Sequence, residues 1–450
     1  ARLAAGDPSR YGARLAELAA ALDGRGLTCP APPAERPLRA FNRRVVMALY
    51  GSEPWFANGY SIRTRWLLQQ MAAAEIRCVP VTRPNFPQDT IAGRAASPAT
   101  EETVADIGYR RLSVGPRMLD EPISDYIRSF ADSLAQISRA TEASVVHAAS
   151  NHVVGLAACL AAEETGAQSV YEIRGLWHRS TATRWPGWEK TESFALHEAL
   201  EAQAALRADR VVVLSRALAD HVRSWGVPDG RIAVVPNGVD PALFKPLPRE
   251  PILRAVLGAG ADTFLVGFVG TFAPYEGLDT LLRAVALLRR SGVNAAAALV
   301  GAGEQEPQLR RLAARLAVPA AFPGRVPLER VPAFLAAFDA HPFPRCPADV
   351  TALVPPLKLA EAMACAVPVV VTDLAPLTDM VAHERRGLVC GPGPEALATA
   401  LGRLHAEPDF AAGMAAAARE WVVEHRSWAN AVERLAAVYA ARPVPAAGVA

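Results

Sequence analysis

Lys358 and Glu361 stand one helical turn apart in VPPLKLAEAMACAVPVVVTD, residues 354–373, just ahead of an apolar run of strand type. Pro355 and Pro356 fix the approach, and proline suits a first helical turn because its missing N–H costs nothing there. The amides of Leu357, Lys358 and Leu359 are then free to face an anion, and the helix dipole adds to the attraction. Lys358 supplies a formal charge for a diphosphate. Glu361 can accept two hydrogen bonds from a ribose diol, each worth about 1.5–3 kcal/mol when charge-assisted. The bland alternative is an exposed i, i+3 ion pair worth about 0.2–0.5 kcal/mol. Spacing alone does not separate the two readings. Lysine occurs only at 190, 245 and 358, with arginine supplying the other positive charge, which draws attention to Lys358.

Other stretches carry weaker chemistry. FVGTFAPYEGLDTLLRA, residues 268–284, is a strand, a glycine turn and a helix: Gly270 lets backbone approach a ligand, while Gly277 and Asp279 open the helix. LVGAGEQEPQL, residues 299–309, begins like a dinucleotide fingerprint but has Glu306 where the third glycine belongs. YGSEPWFANGYSIRTRWLL, residues 50–68, reads as a polar loop between strand and helix around Gly59 and Arg63. VYEIRGLWHRST, residues 170–181, places Glu172, Arg174, Trp177 and His178 just beyond a strand, where they suit a site rim better than packing.

The elements that must position these residues follow from the apolar runs. RRVVMALY, IRCVPVT, ASVVHAAS, QSVYEIR, DRVVVLS and RIAVVPN form one series; TFLVGFVG, AAALVGAG, AAFPGRV, FDAHPFP, PVVVTD and RGLVC form a second after residue 260. The runs are apolar nearly throughout, as strands covered on both faces are, and helical patterns separate them. Repeated strand–helix–strand units give right-handed crossovers and parallel sheets. The expected fold class is therefore α/β, with two doubly wound, Rossmann-like parallel-sheet domains facing a cleft where ligands bind. The expected boundaries are an N-terminal helical extension and Pro-rich linker (1–40), a first domain (41–240), a second domain (241–420) and a last amphipathic helix (421–440), with PNGVDPALFKPLPREP as the hinge.

Composition narrows the class. The chain has 450 residues, 51% hydrophobic and 20% charged, with a formal net charge of +2, which gives no reason to expect nucleic acid. No apolar run reaches the roughly 18 residues of a spanning helix, and no secretory leader is evident. Six scattered cysteines form no C-x-x-C pair, and neither H-E-x-x-H nor Asp-x-Asp occurs, so a reducing cytoplasm and no dedicated metal site are expected.

Taken in order, ADRVVVLSRALADHV, RIAVVPNGVDPALFKP, VGFVGTFAPYEGLDTLLRA, LVGAGEQEPQL, PLKLAEAMACAVPVVVTD and SWANAVERLAAVYA resemble the retaining glycosyltransferases of family 4, with the GT-B fold, from about residue 43 to 440. NGYSIRT, VTRPNFPQD and YEIRGLW are similar to a bacterial subgroup tied to polysaccharide or natural-product pathways. The resemblance implies transfer of a sugar from a nucleoside diphosphate donor (UDP or GDP type) to an acceptor hydroxyl, with retention and without cofactor or metal. The second domain would hold the donor through Gly270, Thr271, Gly324, Arg325, Val326, Leu357, Lys358, Leu359 and Glu361, with Gly59 facing the diphosphate from the first. Arg63, His147, Glu172 and Trp177 would meet a carbohydrate, lipid-linked or small-molecule acceptor, and the last helix would cross back onto the first domain.

Four positions depart from the family pattern. Leu353 stands where a second glutamate is usual, Thr271 and Glu276 stand where many members place Arg and Lys, and Arg174 replaces a histidine. Arg174, Arg345 and Lys358 are the expected catalytic cations, compensating charge on the leaving group. The alternatives are a catalytically degenerate binding or scaffold protein and a nucleotide-sugar 2-epimerase; a nicotinamide dehydrogenase fits least. Peripheral contact with the inner face of a membrane is carried only by SIRTRWLLQQMAAAEIR, for which an amphipathic domain helix is the commoner reading.

Overall fold

The computed structural model describes residues 8–22, 27, 29, 36–97, 99–112 and 122–441. The expected Pro-rich linker, 28–37, falls largely outside them. The chain divides into two compact units: residues up to Pro236 together with the chain from Ala431 onward, and Asn237–Asn430. The sequence reading put these divisions at 240 and 420.

In the first unit β1 (Arg44–Leu49), β2 (Arg77–Thr82), β3 (Glu101–Val104), β4 (Ile107–Arg110), β5 (Val145–Ala149), β6 (Gln168–Ile173), β7 (Arg210–Val213) and β8 (Ile232–Val234) form one sheet in the order β3-β4-β2-β1-β5-β6-β7-β8. All its pairs are parallel except β3–β4. The chain winds outward from β1 to β2 and then back to β5, so a topological switch lies at the carboxyl ends of β1 and β5.

The β3–β4 hairpin is a feature the sequence reading missed. Its two-residue turn, Ala105-Asp106, has both residues at positive φ (48° and 63°) without the Asn-Gly or glycine that normally marks such a turn.

Part of the N-terminal extension packs against the first unit. A helix, Pro8–Ala20, brings Glu17 to the start of helix Ile123–Ala140, where its carboxylate accepts from the amides of Ile123 (2.6 Å) and Ser124 (3.0 Å). That helix has Pro122 at its N-cap and no side-chain cap of its own, so Glu17 fills the vacancy.

In the second unit β9 (Phe264–Thr271), β10 (Ala295–Ala302) and β11 (Ala320–Gly324) form one parallel ladder, and β12 (His341–Phe343), β13 (Val369–Thr372) and β14 (Leu388–Cys390) another. A single bridge, Val266 to Ala340, joins them, giving the order β11-β10-β9-β12-β13-β14. Leu265, Ala296, Ala298, Val300, Val369 and Val371 pack into one apolar core. Val266, Phe268, Ala297, Leu299 and Val370 pack into another on the opposite face. Covering both faces is what makes the strands read as unbroken apolar runs.

Candidate functional site

The switch point of the second unit lies between β9 and β12, and the residues singled out first gather beyond it. Helix Leu357–Ala364 begins after Pro356, which acts as N-cap without any side-chain cap bond. Its lead is held from two sides: Asn237 Nδ2 donates to the Pro355 carbonyl (3.2 Å) and Arg345 Nη1 to the Val354 carbonyl (2.9 Å). Arg345 is itself anchored, because Thr372 Oγ1 donates to its carbonyl (2.9 Å) from the end of β13. Prolines and carbonyl clamps together leave the first amides of the helix pointing outward as anion donors.

Lys358 does not pair with Glu361. Its Nζ lies 2.8 Å from Glu276 Oε1 and 4.3 Å from the centre of the Phe268 ring. Burial lowers the Lys358 ammonium below the usual lysine range, and Glu276 pulls it part of the way back. Glu276 is buried at the end of the short turn Pro274–Glu276, with its other oxygen, Oε2, 3.6 Å from Arg345 Nε. Neither of those two atoms has a hydrogen-bond partner. One buried carboxylate is thus shared between two cations. Gly277 follows at φ 67°, and a Cβ there would fall 1.9 Å from the Pro344 carbonyl, so only glycine turns the chain so tightly. At Gly270 a Cβ would meet Lys358 Nζ at 3.0 Å; the glycine makes room for this lysine.

Glu361 is half-buried, and burial pushes its carboxyl up to about 7, with only the Lys358 charge acting against the shift. A carboxylate so poorly compensated is a strong acceptor awaiting hydroxyl donors. Leu359 packs inward at 0% exposure, so only its backbone amide can contribute. Thr271 and Arg325 are exposed, Val326 packs against the core, and Gly324 has φ 81° with open space around its α-carbon.

In the first unit the expected rim is corrected. Arg63, His147 and Glu172 are 1%, 0% and 0% exposed and form one internal network. Glu172 lies within β6 rather than beyond it. Its Oε1 accepts from Arg63 Nη2 (2.6 Å), and its Oε2 accepts from Arg174 Nε (2.6 Å) and faces His147 Nε2 (3.3 Å). His147 Nδ1 meets the Tyr439 hydroxyl at 2.8 Å, and Arg63 also donates to the carbonyls of Val235 and Pro236. Burial alone would raise the Glu172 carboxyl, but Arg174 and Arg63 outweigh it and hold the group well below the usual range. Burial also lowers the His147 imidazole. These three residues lock β5, β6, the helix Gly59–Ala73 and the last helix, Trp428–Ala440, together; they present nothing to an acceptor.

Arg174 is the member nearest the surface, and only its Nη2 lacks a partner; Nη1 donates to the Tyr60 carbonyl (2.9 Å). Above it, half-buried Tyr50, Phe56 and Trp177 form an aromatic group at the ends of β1 and β6, with Tyr50 and Trp177 edge to face at 4.6 Å. Gly59 is the exposed first residue of its helix, where the Asn58 side chain already accepts from the amides of Tyr60 and Ser61, and Ser61 Oγ from the amide of Asn58. His178 is buried against Glu198 at 2.5 Å. The helix singled out for membrane contact has no exposed residue from Tyr60 to Met71. No described helix is long and apolar enough to cross a membrane. Among the described residues no three His, Cys, Asp or Glu side chains gather as a metal site.

Sequence reasoning missed Phe268 and the pairing of Glu276 with Lys358. Phe268 could have been found, since it precedes Gly270 by two residues and so shares its face of β9.

Comparison with known proteins identifies the family. The profile "Glycosyl transferase 4-like domain" matches residues 58–238, and "Glycosyl transferases group 1" matches 263–407. The chain is 33% identical over 254 residues to a GDP-mannose-dependent alpha-(1-6)-phosphatidylinositol monomannoside mannosyltransferase of Mycolicibacterium smegmatis, covering 54% of this chain and 66% of that protein, just under two thirds of its length. It is 29% identical over 375 residues to a D-inositol 3-phosphate glycosyltransferase of Nocardiopsis dassonvillei, covering 80% of this chain and 85% of the relative. Its fold matches Anabaena HepE, solved with UDP-glucose, at a TM-score of 0.66 and 18% identity, over 87% of this chain and 98% of that one. With two doubly wound parallel-sheet units, an uncapped helix at the second switch point and both profiles in register, the chain belongs to the family 4 glycosyltransferases of GT-B fold, enzymes of the hexosyl-transferring class.

Proposed function

We propose that this enzyme takes a hexosyl group from a UDP- or GDP-sugar and passes it to a hydroxyl of a carbohydrate or cyclitol acceptor, with retention at the anomeric carbon. The observation that carries the reading is the uncapped start of helix Leu357–Ala364, with the Lys358 ammonium beside it and the under-compensated Glu361 carboxylate one turn on. The amides and Lys358 suit a diphosphate, Glu361 a ribose diol, and the open α-carbon at Gly324 with Arg325 and Val326 a base. In the reaction the bond from the anomeric carbon to the phosphate oxygen breaks while the acceptor oxygen bonds to the same face. The leaving phosphate takes the acceptor's proton, so no protein nucleophile or metal is required. Arg345 and Lys358 stabilise the charge that develops on the leaving oxygen. Both curated relatives act, by name, on inositol-containing acceptors, and the half-buried rings of Phe56 and Trp177 suit a sugar or cyclitol ring. Arg174 positions the backbone of Tyr60 beneath that group.

One observation favours a second reading, nucleotide binding without turnover: Glu276 opposes the very cations a leaving group needs. Calorimetry with UDP, GDP, UDP-glucose and GDP-mannose, followed by product analysis with inositol and simple glycosides, separates the two. Transfer with retained configuration is the expected result. Binding without transfer or hydrolysis would favour the second reading, and no nucleotide binding at all would overturn both.

A further inference from the structure

We propose that Glu276 discriminates the sugar-bearing donor from the spent nucleoside diphosphate and thereby speeds release of the product. The inference rests on the function proposed above and deepens it. Glu276 is 4% exposed and fixed by Lys358 at 2.8 Å, so it cannot swing away into solvent without leaving a buried cation behind. Its second oxygen and Arg345 Nε face each other at 3.6 Å, each without a hydrogen-bond partner. A phosphate that docks on these two cations therefore meets the carboxylate in the same shell.

The two ligands differ in charge. The diphosphate of a donor is esterified at both ends and carries two negative charges. After transfer the terminal phosphate is free, its second ionisation lies near pH 6, and at neutral pH the product carries a third charge. Whatever the orientation of the diphosphate, that additional charge feels an additional repulsion from Glu276. At a separation of about 6 Å and an effective dielectric constant of about 40, one unit charge corresponds to roughly a tenfold change in affinity. A neutral or cationic side chain on this turn would instead hold the product more tightly than the donor. Glu276 is thus a specificity-determining residue acting on the final step of the cycle, and it explains why a carboxylate is tolerated between two cations.

The test is the ratio of affinities in the wild type and in E276Q, measured by calorimetry for UDP against UDP-glucose and for GDP against GDP-mannose. Glutamine keeps the shape of the turn, and E276A serves as the second variant; thermal melts with and without nucleotide report whether each is folded. A merely structural ion pair would change both ligands alike. The expected result is that the diphosphate tightens about tenfold more than its sugar-linked partner, with product inhibition rising in step. Equal factors for both ligands, or no change in either, in a chain that binds them would overturn the inference and leave the proposed function standing. A wild-type chain that binds neither pair would overturn both.

Discussion

Replacing Lys358 by Met probes fold and function at one atom. The ammonium sits 2.8 Å from Glu276 Oε1 with its side chain 15% exposed, so its removal leaves a buried carboxylate short of a partner. Breaking a fully buried pair costs about 3–5 kcal/mol. Here Arg345 remains 3.6 Å from Glu276, and Met preserves most of the apolar contact with Phe268. A loss of about 2–3 kcal/mol, at the low end, is therefore expected in urea denaturation. Binding should suffer separately. One charge-assisted contact of about 1.5–3 kcal/mol corresponds to diphosphate binding weakened roughly 10- to 150-fold, which calorimetry with UDP and GDP reads directly. The double variant K358M/E276Q carries no orphaned carboxylate and should regain at least about 1 kcal/mol over K358M alone. Wild-type nucleotide affinity in K358M would refute docking of the diphosphate at this helix. A double variant no more stable than the single one would refute the buried pairing.

Glu172→Gln should lower stability by about 3 kcal/mol, since Arg63 and Arg174 would be left buried against a neutral amide; denaturant melts check it, and a change under about 1 kcal/mol would contradict the network. Gly277→Ala should cost at least about 2 kcal/mol and loosen the turn that presents Glu276, visible as a lower melting temperature. Glu361 gives a pH signature. Its carboxyl is raised from 4.5 to about 7 in the folded chain, so the native state binds the extra proton and stability falls as pH rises across that window. With its partial exposure allowed for, the change is on the order of 2 kcal/mol. Nucleotide affinity should move the other way, rising toward pH 8 as the carboxylate forms, and E361Q should flatten both slopes. Arg345→Lys should retain more turnover than R345A, which also releases the Val354 carbonyl and so shifts the melt as well as kcat.

Much of this architecture was legible because parallel strands covered on both faces must be apolar throughout; each of the twelve apolar runs holds a strand. The β3–β4 hairpin was not, because Ala105 and Asp106 adopt positive φ under the constraint of the surrounding fold rather than by preference. Lys358 and Glu361 could be placed because helical spacing is local. Which partner Lys358 chooses is not local: Glu276 lies 82 residues earlier and meets it only because β9 and β12 are neighbours in the sheet. Glu172, Arg63 and His147 misled for a related reason. A polar residue near a strand end can face outward or inward, and the pairing that turns Glu172 inward comes from a helix 109 residues away.

The scarcity of lysine makes the second unit unusually easy to watch. Lys190 and Lys245 are exposed and would react freely with an amine-selective acylating reagent, providing two internal standards in every peptide map. Lys358, shielded and salt-bridged, would label slowly, and its rate would register whatever enters or leaves its surroundings. Chance in amino-acid usage has thus left a single-residue reporter at the position where the chemistry is expected.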